Sequence, residues 1–493
     1  MSCDFHSASI SSENRAAPHA SVVQHVVLSL PPYGVLFGTP TGTPALHEPL
    51  GLEYVAASVE KQGHACMVTS TVQADPVSAA IALARSRADV FGFGLSTPAS
   101  SWLTRVVAKI RELCPAAVIV VGGDHPSSVR EAVLEDRNID YGVVGEGEEA
   151  FTALLDVFVG KGRREEVPGL LWRDSAGKPR ANPAKVITDL NRLPPPVRSA
   201  DVLASCRVDG LVYPAPSTQR AVAQVMQSRG CPHACSFCAS RLVFGSGIRF
   251  RDPSLVASEM VDLAQDYDVN LAFFADLHLG AEYENTKALC RAIVGAGNPV
   301  PWYACMTTSS MSKDMAEGMA AAGCTKVAFG IESMHPATHR QLRPWSNVEG
   351  AAAAAVTANS VGLLVRAYYM LGIPGETSET FRQGIEALCR LPVDELRIAF
   401  FTPFPGTPAY RRHKDLLLTN KAEDFTSAKP VLDLPGYPPA QQEEDYRWAV
   451  RRFYEGPGYG AKWREKLRRN PVYETSYAEF LGGLKRDGLD VDM

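Results

Sequence analysis

A chain of 493 residues is long enough for two or three domains, each with its own hydrophobic core. Apolar residues make up 46% of it, charged residues 21%, and the net charge is only −5, so the composition gives no indication of nucleic-acid or membrane-surface binding. The longest apolar runs have the length of a strand, and no transmembrane helix is expected. Residues 1–24 are polar and lack the apolar core of a signal peptide, which predicts a disordered leader.

The chain has eleven cysteines, and eight are scattered, mostly in apolar periodic segments where a free cysteine packs as a small core residue. The other three form one cluster, described below. This usage is typical of a protein kept in a reducing compartment, and we expect a cytoplasmic location.

Short apolar runs alternate with amphipathic stretches of helical period in the N-terminal part of the chain. This alternation predicts a doubly wound, Rossmann-like (flavodoxin-like) α/β domain with a parallel sheet over residues 25–160. The predicted strands are residues 26–30, 65–69, 90–95, 118–121 and 142–144, and the predicted helices are residues 50–62, 76–87, 102–113, 127–135 and 148–159.

Glycine and other small residues gather where these strands end, as in Gly94-Leu-Ser96 and Gly122-Gly123. Doubly wound sheets bind ligands in the crevice at the carboxyl ends of their strands, and glycine lets the backbone approach a large ligand closely. No GxGxxG or P-loop pattern is present, so a dinucleotide or nucleoside triphosphate is poorly supported. The spacing of these glycines alone indicates only that they end strands, as glycines do in any flavodoxin-like domain.

Residues 161–217 are rich in proline and only weakly periodic. They predict a linker that begins with a small hairpin near residues 168–173. We expect the last part of the linker, residues 201–217, to lead into the next domain and to wall its cavity.

Three cysteines in CxxxCxxC spacing, Cys231, Cys235 and Cys238, follow an apolar, strand-like run at residues 221–226. Thiolates are the usual ligands of iron–sulfur clusters, and a cubane needs four ligands, so three cysteines leave one iron open to a substrate or cofactor. A structural zinc ion is the alternative, but no second CxxC or histidine pair lies nearby to complete its four ligands. We interpret His233, inside the loop, as a solvent-facing residue rather than a fourth ligand.

Strands and helices alternate again after this motif, which predicts a partial (β/α)6 barrel over residues 218–406. Chemistry in such barrels takes place at the carboxyl ends of the strands. Residues 407–493 predict a helical C-terminal extension that carries no recognisable motif, and the family resemblance described below implies that it caps the barrel. The predicted barrel strands after the motif are residues 271–275, 302–306, 326–331, 365–371 and 395–401, with helices at 254–266, 284–296, 313–322, 348–358 and 379–391.

The cysteine motif resembles that of the radical S-adenosylmethionine (radical SAM) enzymes, CxxxCxΦC with Φ aromatic, and Phe237 occupies the aromatic position. The resemblance implies that the three cysteines hold a [4Fe-4S] cluster, that SAM chelates the open iron, and that Phe237 lies beside the adenine. It also implies that an electron donor such as flavodoxin or ferredoxin reduces the cluster, which then cleaves SAM to methionine and a 5′-deoxyadenosyl radical.

Further segments resemble the SAM-binding motifs of this family at the ends of the second, fourth and fifth barrel strands. The residues assigned to SAM by this resemblance are Phe237, Ala275, Asp276, Glu332, Ser333, Gly372 and Gly375. For Asp276, and for Glu376 and Thr377 in the fifth-strand turn, turn formation or helix capping explains the residue equally well. The candidates for contact with the substrate are His278, Arg366 and Tyr368.

The N-terminal domain resembles the cobalamin (vitamin B12)-binding domain that precedes the radical SAM core in one large subfamily. The matching stretches are Gly51-Leu-Glu-Tyr-Val-Ala-Ala57, Gly94-Leu-Ser96, Gly122-Gly-Asp-His-Pro126 and Gly145-Glu-Gly-Glu148. The resemblance assigns to cobalamin Ser96, Thr97, Gly122, Gly123, His125, Gly145 and Glu146. Other B12 proteins carry a DxHxxG motif whose histidine binds cobalt. The nearest match in this chain, Asp276-Leu-His278-Leu-Gly280, has the wrong spacing, so the motif is missing.

Together the resemblances imply a cobalamin-dependent radical SAM enzyme, in the first place a methyltransferase. It would move a methyl group, by way of methylcobalamin, to an unactivated carbon of a small molecule such as a specialised metabolite or a lipid. A radical cyclase or ring-rearrangement enzyme on the same scaffold would carry identical motifs. A non-catalytic B12 or redox sensor is an alternative of another class, which the intact CxxxCxΦC motif disfavours, and a radical SAM enzyme with an empty Rossmann domain is a further one.

Overall fold

The computed structural model describes residues 24–31, 48–70, 75–206, 221–469, 473–486 and 488–489. The predicted leader, except for Gln24, and the end of the linker beyond Cys206 lie outside the described residues. Two parallel sheets flanked by helices dominate the described part, and this confirms the predicted α/β class with two successive units. Within the described ranges, no helix is both long and apolar enough to cross a membrane.

The N-terminal sheet has the strand order β2-β1-β3-β4-β5, with all of these strands parallel. This order confirms the flavodoxin-like prediction, whose ligand crevice lies where the order reverses, between β1 and β3. The strands are β1 His25–Leu30, β2 Ala65–Ser70, β3 Val90–Gly94, β4 Val118–Gly122 and β5 Tyr141–Val143, and the helices are Leu50–Lys61, Pro76–Ala84, Ser100–Leu113, Asp124–Val129 and Gly147–Phe158.

Both faces of this sheet are buried, as its continuous apolar strands require. Ile119 and Val121 pack into one core, whereas Val120 packs into the core on the opposite face. One predicted element differs from the structure. The helix expected over residues 127–135 is the short helix Asp124–Val129 followed by a 3₁₀ turn, because Arg130 has a φ of +54° that interrupts the α-helical path.

The hairpin predicted at the start of the linker consists of β6 Leu170–Arg173 and β7 Pro179–Ala181. Strand β6 pairs antiparallel with β5, so the hairpin extends the N-terminal sheet to seven strands. The sheet therefore runs about twenty residues beyond residue 160, the boundary expected for the first domain. The proline-rich stretch after it leads to the short helix Ala200–Ser205.

The second sheet has six parallel strands in the order β15-β14-β13-β12-β11-β8, as predicted for a partial barrel. Alternate residues point outward into one large core under the surrounding helices, among them Trp302 and Phe329. The strands are β8 Val222–Val225, β11 Leu271–Phe274, β12 Trp302–Met306, β13 Cys324–Glu332, β14 Leu364–Leu371 and β15 Glu395–Phe400, and the helices are Ser240–Phe244, Pro253–Asp266, Tyr283–Gly295, Lys313–Ala321, Pro336–Leu342, Val348–Ser360 and Ser378–Cys389.

The cluster motif is attached to the barrel through a small antiparallel ribbon. Strand β9, Ser228–Cys231, pairs with β10, Gly247–Phe250. Gly230 has a φ of +92°, and a Cβ at this position would lie 2.2 Å from the carbonyl oxygen of Gly247. Only glycine fits there, so the residue before the first cluster cysteine fixes how the loop leaves the ribbon.

The C-terminal extension is helical, as predicted. Its helices are Pro408–His413, Pro439–Tyr454, Pro457–Arg469 and Glu474–Arg486. Tyr437 and Trp463 are buried in the barrel core, so the extension is an integral part of that unit. The stretch between its first two helices also reaches the N-terminal unit, where the Ser101 hydroxyl donates a 2.6 Å hydrogen bond to Glu423.

Candidate functional site

The three motif cysteines lie in one half-buried loop at the end of β9. The Cys238 amide donates to the Cys235 carbonyl at 3.2 Å, and the Cys238 Sγ lies 3.0 Å from the Ser240 hydroxyl. Burial raises the pKa of Cys235 to about 12, so its thiolate depends on nearby positive charge such as that of bound iron. Phe237, between the second and third cysteines, packs against the barrel core.

No set of three or more His, Cys, Asp or Glu side chains converges on a single-ion site within the described ranges. A four-iron cluster does not require such convergence, because each thiolate binds a different iron atom. Three half-exposed thiols in one turn, with only weak hydrogen bonds of their own, therefore fit a cubane cluster with one open iron.

Asp276 holds the start of the cluster strand rather than pointing into open space. Its carboxylate accepts hydrogen bonds from the Gln227 amide at 3.0 Å and the Ser228 amide at 2.6 Å, and a further bond from the Ser228 hydroxyl. Burial raises its pKa to about 6, against the lowering effect of these bonds. The neighbouring Ala275 lines the cavity described below.

Glu332 ends strand β13 with a φ of +62°, a rare conformation for a residue with a side chain. Its carboxylate accepts a 2.5 Å bond from Arg343, which sequence analysis did not single out. Gly330 makes room for this ion pair, because a Cβ there would lie 2.4 Å from the Arg343 guanidinium. Arg343 also lowers the pKa of Cys231 and Cys235, although burial has the larger effect and raises both.

The remaining residues assigned to SAM stabilise turns at the same end of the barrel. Ser333 is fully buried, and its hydroxyl accepts from the His335 amide at 3.1 Å. Gly372 and Gly375 have φ values of +78° and +91°, and the Gly372 amide donates to Glu376 at 2.8 Å. Thr377 caps the helix Ser378–Cys389, which is the alternative role that its sequence position suggested.

The substrate candidates differ in accessibility. Tyr368 faces the barrel interior and is 36% exposed, whereas its neighbour Tyr369 is buried in the outer core. Arg366 is buried below it and makes two 2.8 Å bonds to Glu395. His278 is buried and interacts with hydroxyl groups that follow β12, so Tyr368 is the accessible member of the three.

A cavity of about 750 Å³ lies between the N-terminal unit and the barrel. Six of the seven residues assigned to cobalamin line it, namely Ser96, Thr97, Gly122, Gly123, Gly145 and Glu146. His125 is not among the lining residues. Its Nδ1 lies 3.2 Å from the Thr97 hydroxyl, and burial lowers its pKa to about 4, so it is neutral at physiological pH.

Two details of this cavity fit a large ligand with polar side chains. The Ser96 hydroxyl is buried and has no hydrogen-bond partner in the part of the chain that the structure describes. Gly123 has a φ of +96°, and a Cβ there would lie 3.2 Å from the backbone of Leu95. The backbone can therefore form the cavity floor only with glycine at this position, and the free hydroxyl offers a hydrogen bond to a bound corrinoid.

Residues from distant parts of the chain complete the cavity wall. The barrel contributes Met226, Arg229, Ala275 and Phe404, and the C-terminal extension contributes Phe425. The part of the extension in this wall was not predictable, because a phenylalanine in an irregular segment carries no signal of the surface that it will face. The wall reaches from the strand ends of the N-terminal unit to the ribbon that carries Cys231.

Buried ion pairs join the two units beside this cavity. Arg229 bonds to Glu146 at 2.9 Å and to Glu148 at 2.5 Å, and Arg249 bonds to Glu146 at 2.7 Å. The Arg229 guanidinium also lies over the ring of Tyr54, 5.2 Å from its centre. The side chain of Glu146 is thus engaged with the barrel, and any role of this residue toward cobalamin falls to its backbone.

Comparison with known proteins agrees with this division. A family model for the B12 binding domain matches residues 43–155, and a model for the radical SAM superfamily matches residues 225–388. The chain is 28% identical to an uncharacterized methyltransferase of Pyrococcus horikoshii over 88% of this chain and 93% of the relative. It is 26% identical to the anaerobic magnesium-protoporphyrin IX monomethyl ester cyclase of Rubrivivax gelatinosus over 70% and 62%.

Among solved structures, the fold is similar to that of TsrM, a radical S-adenosylmethionine methyltransferase from Kitasatospora setae with cobalamin and a [4Fe-4S] cluster bound. The TM-score is 0.66 at 19% identity, over 80% of this chain and 78% of that one. At this identity the likeness concerns the fold. With both domain matches, the cysteine loop and the cavity between the units, the chain belongs to the cobalamin-dependent radical SAM enzymes.

Proposed function

We propose that the protein is a methyltransferase that moves a methyl group from SAM, through cobalamin, to an unactivated carbon of a small molecule. The observation that carries this proposal is the shared cavity. Its wall includes Gly122 and Gly123 at the strand ends of the B12 unit, and Ala275 and Arg229 beside the cluster strand. A single space between the two units favours transfer between the two cofactors and a common substrate, because it holds the reacting groups close together.

The chain's own residues would hold and orient the cofactors. Cys231, Cys235 and Cys238 would hold the cluster, and Arg343, a buried cation beside them, would pair with the carboxylate of SAM. Ser96 would donate its unpaired hydroxyl to an amide group at the rim of the corrinoid. When bound, the cluster and the cobalamin supply a 5′-deoxyadenosyl radical and a transferable methyl group.

The barrel interior is the proposed substrate site. Tyr368 is exposed there, above a floor of buried charges in which Arg366 and Lys326 approach Glu395 at 2.8 Å and 3.6 Å. Such a floor is closed and rigid, since its charges are paired, so a substrate would enter from the cluster side. Tyr368 would contact it with its ring and its hydroxyl, and we propose a specialised metabolite or a lipid as the substrate class.

The electron donor and the location follow from the same proposal. The described cysteines are all free thiols, which supports a reducing environment such as the cytoplasm. A flavodoxin or ferredoxin of that compartment would reduce the cluster.

The test uses protein reconstituted anaerobically with iron, sulfide and hydroxocobalamin, then given SAM with a labelled methyl group and a low-potential reductant. The proposal predicts 5′-deoxyadenosine, S-adenosylhomocysteine and label in the corrinoid fraction. A Cys235→Ala control should abolish 5′-deoxyadenosine. Absence of label from the corrinoid, with 5′-deoxyadenosine still formed, would contradict methyl transfer. It would favour a radical cyclase instead, and the Rubrivivax relative is named a cyclase.

A further inference from the structure

His233, midway between the first two cluster cysteines, is partly buried, and its ring lies against two other rings. Its ring lies parallel to that of Trp345, with 4.5 Å between the ring centres and 2° between the planes. The His233 ring also stacks with that of His278, with 5.6 Å between the ring centres and 19° between the planes. Parallel rings at these separations attract each other beyond the area that they bury.

Both outer rings are attached to the barrel itself. His278 is buried, and its Nε2 lies 3.0 Å from the Thr307 hydroxyl and 3.1 Å from the Ser310 hydroxyl, at the end of β12. Trp345 stands two residues after Arg343, whose ion pair with Glu332 ties that segment to the end of β13. The His233 ring therefore contacts two side chains that are anchored at the ends of different barrel strands, β12 and β13.

The loop from Cys231 to Cys238 has little structure of its own to keep its shape. In the described part of the chain, one backbone hydrogen bond joins its cysteines, from Cys238 to Cys235, and one more anchors the loop, from the Ala409 amide to the Ser236 carbonyl at 2.9 Å. A loop of this kind loses conformational entropy when it wraps a cluster, and a contact that orders it beforehand reduces that loss. The stacking of His233 with Trp345 and His278 is a contact of this kind, because it attaches a residue of the loop to the barrel.

We propose that Trp345 and His278 are positioning residues that hold the cluster loop in its cluster-binding shape through the ring of His233. They act on the lifetime and uniformity of the [4Fe-4S] cluster and not on the chemistry of SAM. This inference rests on cluster binding and is independent of the reaction that follows.

The first test is the rate at which the reconstituted cluster is lost to an iron chelator, followed by its visible absorbance without SAM or substrate. His233→Ala and Trp345→Leu should each lose the cluster roughly two- to tenfold faster, the factor that corresponds to one aromatic pair. His233→Phe and Trp345→Phe, which keep a flat ring, should lose it at the rate of the unmodified protein. Trp448→Leu, in a helix of the C-terminal extension, serves as the matched control and should have no effect.

The double variant His233→Ala/Trp345→Leu separates the stack from a general loss of stability. Because His233→Ala already removes the contact that Trp345→Leu removes, the double variant should lose its cluster no faster than the faster single variant. The EPR signal of the reduced cluster should broaden in the single variants, since a loop without the ring stack adopts more than one conformation.

Three results would overturn the proposal. One is an unchanged cluster lifetime in His233→Ala, and another is a double variant whose effects multiply. The third concerns the indole nitrogen of Trp345, which is buried without a hydrogen-bond partner in the described ranges. If Trp345→Phe, which keeps a flat ring but lacks the indole nitrogen, loses the cluster as fast as Trp345→Leu, then stacking of a flat ring is not what holds the loop. None of these outcomes depends on methyl transfer, so this proposal fails or survives separately from the proposed function.

Discussion

The two cofactor regions of the molecule are built in opposite ways. The proposed cobalamin cavity is assembled from distant segments, with Gly123 and Ser96 in the N-terminal unit, Phe404 in the barrel and Phe425 in the C-terminal extension. The cluster region is one short loop, supported by Asp276 and the charge of Arg343. The cavity would recognise its ligand by shape, so ligand binding there depends on how the two units dock. Cluster binding depends instead on the chemistry of the ligating side chains and on the local geometry of the loop.

The largest effect is expected from a change that should affect only one region. Cys235→Ala removes one of the three proposed ligands of the cluster, so iron content and 5′-deoxyadenosine formation should be abolished. Cobalamin binding, measured by absorbance titration, should stay at the level of the unmodified protein, because the cavity does not include this loop residue.

Cys114→Ala is the matched control, since this half-buried cysteine lies in the N-terminal unit, after the helix Ser100–Leu113. It should retain both cofactors. A large loss of cobalamin affinity in Cys235→Ala would show that the two regions are not independent.

The docking of the units should be sensitive to Arg229. Its replacement by methionine leaves the buried carboxylates of Glu146 and Glu148 without this partner, which is expected to lower the free energy of unfolding by about 3–5 kcal/mol. Cobalamin affinity should fall as well, because Arg229 lines the cavity. Urea denaturation and absorbance titration measure the two effects.

An exposed ion pair provides the comparison for that variant. Arg163 is 72% exposed where it meets Glu166, and Arg163→Ala should leave the unfolding midpoint unchanged. If Arg229→Met lowers the stability by less than about 1 kcal/mol, the buried network does not hold the units together.

On the cluster side, Glu376 should make stability depend on pH. Burial raises the pKa of this carboxyl to about 8, while in the unfolded chain it stays near 4.5. The folded protein therefore binds the extra proton, and the stability that this contributes is lost as the pH rises through about 8. Glu376→Gln cannot ionise, so relative to the unmodified protein it should gain at least about 1 kcal/mol between pH 5 and pH 9.

Chemical denaturation at the two pH values measures this gain. Glu379→Gln, an exposed change in the first turn of the next helix, is the control and should give no difference between them. An equal effect of Glu376→Gln at both pH values would mean that Glu376 is ionised throughout.

The smallest effect should come from the contact of the C-terminal extension with the N-terminal unit. Ser101→Ala removes the hydrogen bond to Glu423, which is exposed, and should speed cobalamin dissociation by no more than about fivefold. Ser360→Ala, which removes an exposed bond at a distant helix end, should not change that rate. Identical dissociation from both variants would mean that this contact does not help to close the cavity.

The difference between the regions also explains what could be predicted from the sequence. The strands, most of the helices and the cysteine loop were predictable, because periodicity and ligand spacing are local properties. Arg343 was missed although it lies only eleven residues after Glu332, since a single arginine after a helix has no distinctive pattern. Phe404 and Arg229 face the cavity only because the two units dock, and docking is a long-range property.

The same limit applies to residues whose position was predicted but whose partners were not. Asp276 and Glu146 lie at the expected strand ends, yet both side chains bind to the protein itself. His233 was interpreted as solvent-facing, because nothing near it in the sequence reveals that Trp345, more than a hundred residues later, will stack on its ring.

The most direct test of the shared cavity is the EPR spectrum of protein that holds both cob(II)alamin and the reduced cluster. Both centres are then paramagnetic. If they open on one cavity, reduction of the cluster should split or broaden the cobalt signal through spin–spin coupling. Cys235→Ala, which lacks the cluster, should keep the uncoupled cobalt spectrum. A spectrum of the unmodified protein that is the plain sum of two independent signals would contradict the account.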